Sequence, residues 1–251
     1  MSDKFIAYFD FLGFQNFIEN NNSFYQKGVM KSIFTEIEMA LSLGESVLSD
    51  GFAKAKLSVS KVNCINFSDT IIFWTNSMDF NSLEELLKVS HRFNAFCNIY
   101  TFPIRGAISK GEISHYKFNS DNVNNSTYNA NSIFGKGLIN AYLKAESQNW
   151  AGTVIDSSIV DFLNKNSIDD KKFLSLFSKK YLIPYKGVIT SQKEEWALNL
   201  VENNQTIKEE TFLNIKRNIT ENFSKHNKCL DNKEIQQKIR NTIDFLITYK
   251  Q

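Results

Sequence analysis

Two carboxylates stand where a carboxylate is costly. Asp10 closes the run Lys4–Asp10 and is followed by Phe11, Leu12 and Phe14, while Asp69 stands between Phe67-Ser68 and Thr70-Ile71-Ile72-Phe73. An ionised group in such apolar company needs a cation to meet it. Two acidic groups delivered to neighbouring strand ends can share a pair of divalent ions about 3.5–4 Å apart, an arrangement that activates a hydroxyl and steadies a leaving phosphate. The segment Phe11-Leu12-Gly13-Phe14 is expected to turn into a helix N-terminus whose free N–H groups suit phosphate oxygens, Gly13 letting the backbone come close. Taken singly, each carboxylate has an ordinary alternative: Asp10 as a helix N-cap, Asp69 as a turn residue.

The pattern around them predicts the elements that must position them. Residues 4–10 read as a short buried strand. Gly13 follows, and helical patterning runs to about residue 45, with Ile33, Ile37, Ala40 and Leu41 on one face. Residues 55–67 and 70–76 are rich in Val, Ile and Phe and are separated only by Ser68-Asp69, which predicts a hairpin. A helix over 81–100, capped at Asn81-Ser82, ends before Pro103, and 104–114 is a strand. The Asn-rich stretch 118–132 is expected to be a loop. A helix over 135–148, a strand over 152–156 and a helix over 157–164, capped near Ser157, come next. Short strands at 181–185 and 195–200 precede two charged amphipathic helices near 206–226 and 232–249.

With the first strand beside the hairpin, both carboxylates reach the same edge of a sheet. The class is α+β, helices packed on a sheet that contains a tight antiparallel pair. The expected division is a catalytic unit over 1–165 and a strand-and-helix appendage over 166–251, packed on it and available for dimerisation.

Composition removes several function classes. The chain has 251 residues, 42% apolar and 14% aromatic, so it can bury a sizeable core and is not mainly disordered. Its 29 basic and 27 acidic residues are interspersed, and no basic field for nucleic acid is visible. Cys64, Cys97 and Cys229 lie far apart, which suits a reducing compartment, and the first two read as core residues. No run approaches the roughly 18–20 apolar residues needed to span a bilayer, and the start carries Asp3 and Asp10 rather than a signal peptide. A soluble, cytoplasmic protein is expected. Neither GxGxxG after the first strand nor GxxxxGK[ST] is present, so dinucleotide and P-loop readings fall away. His226 and Cys229 are spaced like half a metal site without a second pair and read as structural. His91 and His115 have no nucleophile partner and no GxSxG elbow exists.

Four stretches together resemble a known family. AYFDFLGF (7–14) resembles the metal-binding strand and turn of class III nucleotidyl cyclases, and NFSDTIIF (66–73) the hairpin carrying their second metal Asp. IRGAISKG (104–111) is similar to their Arg-x-Gly strand, and GKGLINAYLKAE (135–146) to their Asn- and Arg-bearing helix. The four occur in the family's order over roughly residues 4–156. The Asp-Phe-Leu-Gly-Phe and Phe-Ser-Asp-Thr forms look closer to the Pycsar antiphage pyrimidine cyclases than to adenylate or guanylate cyclases.

The resemblance implies a ferredoxin-like palm and a homodimer with shared active sites. Asp10 and Asp69, with the backbone carbonyl of Phe11, would hold two Mg²⁺ or Mn²⁺ ions. The 3′-oxygen of a nucleoside triphosphate would then attack its own α-phosphorus and release pyrophosphate. Gly13 and Phe14 would sit by the nucleotide. From the other subunit, Asn140 would orient the ribose and Lys144 would stand for the family's transition-state Arg. Alignment of Gly135 without a gap moves those two slots to Ile139 and Leu143. Arg105 has two readings, a phosphate ligand or a strand-end ion pair. Ile65 stands where purine-specific enzymes usually carry Lys, which suits a pyrimidine, UTP ahead of CTP. The product, cUMP, would signal in bacterial antiphage defence through a cyclic-nucleotide-sensing effector. Two rivals are a purine cyclase and an inactive cyclase-like module that binds nucleotide or only dimerises.

Overall fold

Residues Phe5–Phe9 are apolar on both sides of the strand, and a strand of that kind must lie inside a sheet covered on both faces. In the computed structural model, which describes residues 2–121, 127–187, 194–201 and 206–251, strand β1 (Ser2–Phe11) holds that place. It pairs antiparallel with β5 (Thr70–Thr75), with Asp10 opposite Thr70, and antiparallel with β6 (Ile104–Asp121), with Asp10 opposite Arg105. Further strands are β4 (Val62–Phe67), β7 (Thr127–Phe134), β8 (Thr153–Ile155), β9 (Ser178–Leu182) and β10 (Glu194–Leu198). The sheet runs β4-β5-β1-β6-β8-β10-β9, with β7 pairing β6. Among the described residues, the named strands pair antiparallel except β6 with β8. Residues beyond 166 therefore continue the same sheet through β10 and β9.

The two faces sort by the period of two along β1. Phe5, Ala7 and Phe9 join one cluster with the helices α2 (Ser23–Leu41), α3 (Phe80–Phe96) and α5 (Ser157–Lys165). Ile6 and Tyr8 face the other way, against Ala141 and Ala145 of helix α4 (Lys136–Glu146). Gly111 and Gly137 let α4 lie directly on β6: a Cβ at Gly111 would stand 2.6 Å from the Gly137 Cα. A third cluster joins Trp150 and Val154 to helices α7 (Glu209–Ser224) and α8 (Lys233–Ile247). Two short helices, α1 (Phe14–Glu19) and α6 (Asp170–Leu174), and a π-helical turn at Cys97–Thr101 are also present.

Several expectations need correction. The stretch 118–132 is not a loop in its described part. β6 runs to Asp121, and β7 pairs with it from Thr127 opposite Asp121 to Phe134 opposite Ser114; residues 122–126 lie outside the described residues. The ribbon is solvated, so backbone pairing with Tyr116–Phe134 and Phe118–Tyr128 ring contacts (centroids 5.8 and 5.6 Å apart) holds it. No apolar alternation is needed there, and none marked it.

Helix α2 stops at Leu41, short of 45, and a small hairpin follows, β2 (Ser46–Ser49) with β3 (Phe52–Ala55). Its turn is Asp50-Gly51, both with positive φ (54° and 78°), the Asp-Gly pair that two-residue hairpins favour. The strand expected over 55–67 therefore begins only at Val62, after a 3₁₀ turn at Leu57–Val59. The helix caps also move by one or two residues. Asp79, not Asn81-Ser82, caps α3 by accepting from the Ser82 N–H, and Asp156, not Ser157, caps α5.

Candidate active site

Strand β1 ends in Asp10-Phe11, and the β4–β5 hairpin turns at Ser68-Asp69, with Ser68 at φ 55°. The Phe11 N–H donates to the Asp69 carbonyl at 3.0 Å, which ties the hairpin turn to the strand end. The structure thus brings Asp10 and Asp69 to one corner of the sheet. Asp10 caps no helix: the N-cap of α1 is Gly13, at φ 80° and without a side-chain cap. The turn itself is less open to anions than its sequence suggested. The Phe11 N–H is spent on Asp69, the Leu12 N–H donates to the Pro103 carbonyl at 2.8 Å, and α1 has only six residues.

Burial dominates the electrostatics of Asp10. It pushes the carboxyl up to about 6, opposed by the Arg105 guanidinium and reinforced by the charge of Asp69. Arg105 donates to Asp10 Oδ2 from Nε at 3.1 Å and from Nη2 at 2.9 Å. The same guanidinium pairs with Glu146 at the end of α4, and Glu146 also meets Lys186. Arg105 is therefore shared between two carboxylates. The Tyr8 hydroxyl lies 3.3 Å from Thr70 Oγ1, and burial, with Asp10 and Asp69, keeps its proton on above the usual tyrosine range.

This donor set fits a hard divalent cation. Two carboxylates and a backbone carbonyl leave most of a coordination shell to water and phosphate oxygens, as Mg²⁺ prefers. Burial raises the Asp10 carboxyl although Arg105 opposes it, so a further cation beside it would favour the ionised form. Among the described residues no three His, Cys, Asp or Glu side chains are grouped to hold a metal.

A cavity of about 200 Å³ opens beside Asp10. Phe11, Leu12, Gly13 and Arg105 line one side, and Phe223, Lys228, Ile235 and Lys238, from the last two helices and their junction, line the other. The Lys228 chain crosses Gly13 so closely that a Cβ there would lie 3.1 Å from Lys228 Cδ. Sequence reasoning missed Lys228 and Lys238, since no local pattern links residues so far along the chain to Asp10.

The other expected residues lie elsewhere. Phe14 packs in an aromatic cluster with Phe11, Phe17 and Phe102 and does not line this cavity. Asn140 is exposed on α4. Lys144 is half-buried and pairs with Glu195 of β10, which also accepts from the Tyr185 hydroxyl. Lys144 and Glu195 line a separate cavity of about 360 Å³. Within one copy of the chain, neither Asn140 nor Lys144 lines the Asp10 cavity. Ile139 and Leu143, the alternative slots, are both exposed on α4.

Known structures share this arrangement of sheet and helices. The guanylate cyclase domain of RhGC from Catenaria anguillulae, solved with GTP, superposes with a TM-score of 0.51 at 8% identity, over 78% of this chain and 96% of that one. The catalytic core of a rhodopsin-guanylyl cyclase with converted specificity, solved with ATPαS, gives 0.51 at 9% identity, over 78% and 94%. No protein-family profile matches the chain, and no curated protein matches it in sequence. The fold is that of a class III nucleotide cyclase catalytic domain. Among the described residues no helix is long and apolar enough to cross a membrane.

Proposed function

We propose that the protein is a nucleotide cyclase converting a nucleoside triphosphate to its 3′,5′-cyclic monophosphate and pyrophosphate. The observation that carries this reading is the delivery of Asp10 and Asp69 to one sheet corner, at the end of the strand and the turn of the hairpin. Asp10, Asp69 and the Phe11 carbonyl would hold two divalent ions, Mg²⁺ or Mn²⁺. Bound there, such ions acidify the ribose 3′-hydroxyl and neutralise the triphosphate. Arg105 keeps Asp10 in place and, with Gly13, borders the phosphates. Phe14 stiffens the turn beside the nucleotide.

The site would be completed by a second copy, whose Asn140 orients the ribose and whose Lys144 offers a point charge to the transition state. Lys144 would have to leave Glu195 to do so. The exposed apolar face of α4, Ile139, Tyr142 and Leu143, suits such a contact.

The base is read as a pyrimidine, UTP ahead of CTP. Ile65 lines a third cavity, of about 440 Å³, whose polar groups are Asn66, Thr70, Asn131 and Ser132. None of its lining side chains is charged, so a base placed there would meet amide and hydroxyl groups rather than a lysine. The product cUMP would act through a cyclic-nucleotide-sensing effector in antiphage signalling. A purine cyclase is the second reading, favoured by the GTP and ATPαS bound to the two superposed domains.

Incubation with each ribonucleotide, with Mg²⁺ and with Mn²⁺, followed by mass spectrometry, tests the reaction and the base. Cyclic UMP or CMP supports a pyrimidine cyclase, cyclic AMP or GMP transfers the reading to purines, and no cyclic product with any pair refutes it.

A further inference from the structure

The residues between α7 and α8 form a strap bolted down beside the Asp10 cavity, which Lys228 lines. Asn21 Nδ2 donates to the His226 carbonyl at 2.6 Å, Asn20 Nδ2 to the Asn227 carbonyl at 2.8 Å, and Asn227 Nδ2 to Asn21 Oδ1 at 2.8 Å. The His226 ring stacks on Phe102 with centroids 5.5 Å apart, and its Nε2 faces the Thr101 carbonyl at 3.3 Å. Lys225 Nζ donates to the Tyr100 carbonyl at 3.2 Å. His226 and Asn227 both take positive φ (65° and 56°), so the strap holds a costly backbone shape in order to lie here.

What the strap carries inward is Lys228. It is only 7% exposed, lines the cavity, and its Nζ has no hydrogen-bond partner. It rests over the Phe102 ring at 3.8 Å from the centroid. A buried ammonium in that state is costly, and a π face offsets only part of the cost. Asp10 and Glu146 already share Arg105, and Glu234 offsets the charges of Lys186 and Lys238. The charge felt most by Lys228 is the repelling one of Lys225. The cavity lining thus carries Arg105, Lys228 and Lys238 against Asp10 alone, among apolar walls that strengthen any anion's attraction. At about 200 Å³ it is smaller than the roughly 300–1,000 Å³ of sites that enclose a whole drug-sized ligand, which suits one end of a nucleotide.

We propose that this strap is the polyphosphate-binding part of the site, with Lys228 as the binding residue and Lys238 beside it, taking the diphosphate end that leaves as pyrophosphate. The proposal rests on reading the site as one that processes nucleoside triphosphates. It gives the segment after residue 166 a chemical role, in which the strap makes the site select triphosphates over monophosphates.

The test uses the full chain and inorganic pyrophosphate, followed by calorimetry and by thermal unfolding. Wild type should bind saturably and gain melting temperature. Lys228→Met should bind about 10- to 100-fold more weakly, the loss of one charged hydrogen-bond donor, while its ligand-free melting temperature equals or exceeds that of wild type. Lys228→Arg should restore binding. A purely structural Lys228 gives the reverse: an unstable ligand-free Lys228→Met whose pyrophosphate affinity is unchanged. That result, or no pyrophosphate binding by wild type, overturns the proposal. Failure of the cyclase reading shows separately, as Lys228-dependent pyrophosphate binding without a cyclic product from any nucleotide.

Discussion

Asp10 and Arg105 occupy the same rung of the β1–β6 ladder, and both guanidinium donations fall on a single carboxylate oxygen, Oδ2. The arginine therefore balances the buried acid from one side and would leave Oδ1 to a cation entering from the cavity. This explains both readings that the sequence left open for Arg105: it is a strand ion pair, placed where it borders the proposed phosphates.

Removal of that counter-charge should be expensive. The side chains of Arg105 and Asp10 are 9% and 14% exposed, and breaking a buried pair costs about 3–5 kcal/mol. Arg105→Ala should lose about that much in urea unfolding near pH 8, with Arg105→Lys losing less. At pH 5, where Asp10 can take up a proton, the loss should shrink. An equal loss at both values would mean that Asp10 is not the group left bare.

Asp10 should also write a slope into the pH dependence of stability. Its folded carboxyl sits at about 6, above its unfolded value, so between about pH 4 and pH 6 the folded state holds a proton that the unfolded chain has released. Stability should fall as pH rises through that window, by on the order of 3 kcal/mol. The difference between wild type and Asp10→Asn, measured by denaturant titration from pH 4 to pH 8, isolates this contribution. Parallel curves would refute it.

Asp69→Asn should abolish cyclisation and leave folding nearly intact. The residue sits half-buried in a two-residue turn that Asn also accepts, and its carbonyl keeps the bond from the Phe11 N–H. The unfolding free energy should change by about 1 kcal/mol or less. A variant that still turns over at the wild-type rate would remove Asp69 from the metal site.

Shared sites predict complementation between copies. Asp69→Asn and Asn140→Ala should each be inactive as homodimers, while their mixture regains activity, because one of the two sites in a heterodimer is then intact. Asn140 is exposed, so its substitution should leave the melting temperature unchanged. If Asn140→Ala and Lys144→Ala are both silent, the slots belong to Ile139 and Leu143. If mixing restores nothing, each site is built within one copy.

The α4 packing offers a mechanical check. Gly137→Val would drive side-chain atoms into the Gly111 backbone and Ile6, which lie within 3 Å of a Cβ at that position. Overpacking of this kind costs about 1–3 kcal/mol, and it should lower activity by lifting the helix that bears Asn140 and Lys144. A stable, fully active Gly137→Val variant would contradict the tight β6–α4 contact.

The sequence by itself determined the parts whose causes are local. A strand apolar on both sides ending in Asp10, a two-residue turn at Ser68-Asp69, and helices with one apolar face follow from patterns a few residues long, and they suffice for the fold class and the carboxylate pair. Asp50-Gly51 was equally legible as a hairpin turn, hidden only because the apolar run beyond it suggested one long strand.

Tertiary structure alone decided which partners those groups meet. The rung that sets Arg105 against Asp10, the capture of Lys144 by Glu195, and the arrival of Lys228 beside Gly13 join residues separated by 95, 51 and 215 positions. Their pairing depends on strand register and on the docking of α7 and α8, energies summed over whole faces rather than written in any window of the chain. The exposed β6–β7 ribbon escaped for a related reason: its stability lies in backbone bonds and cross-strand rings, and a solvated strand pair needs no apolar alternation to announce it.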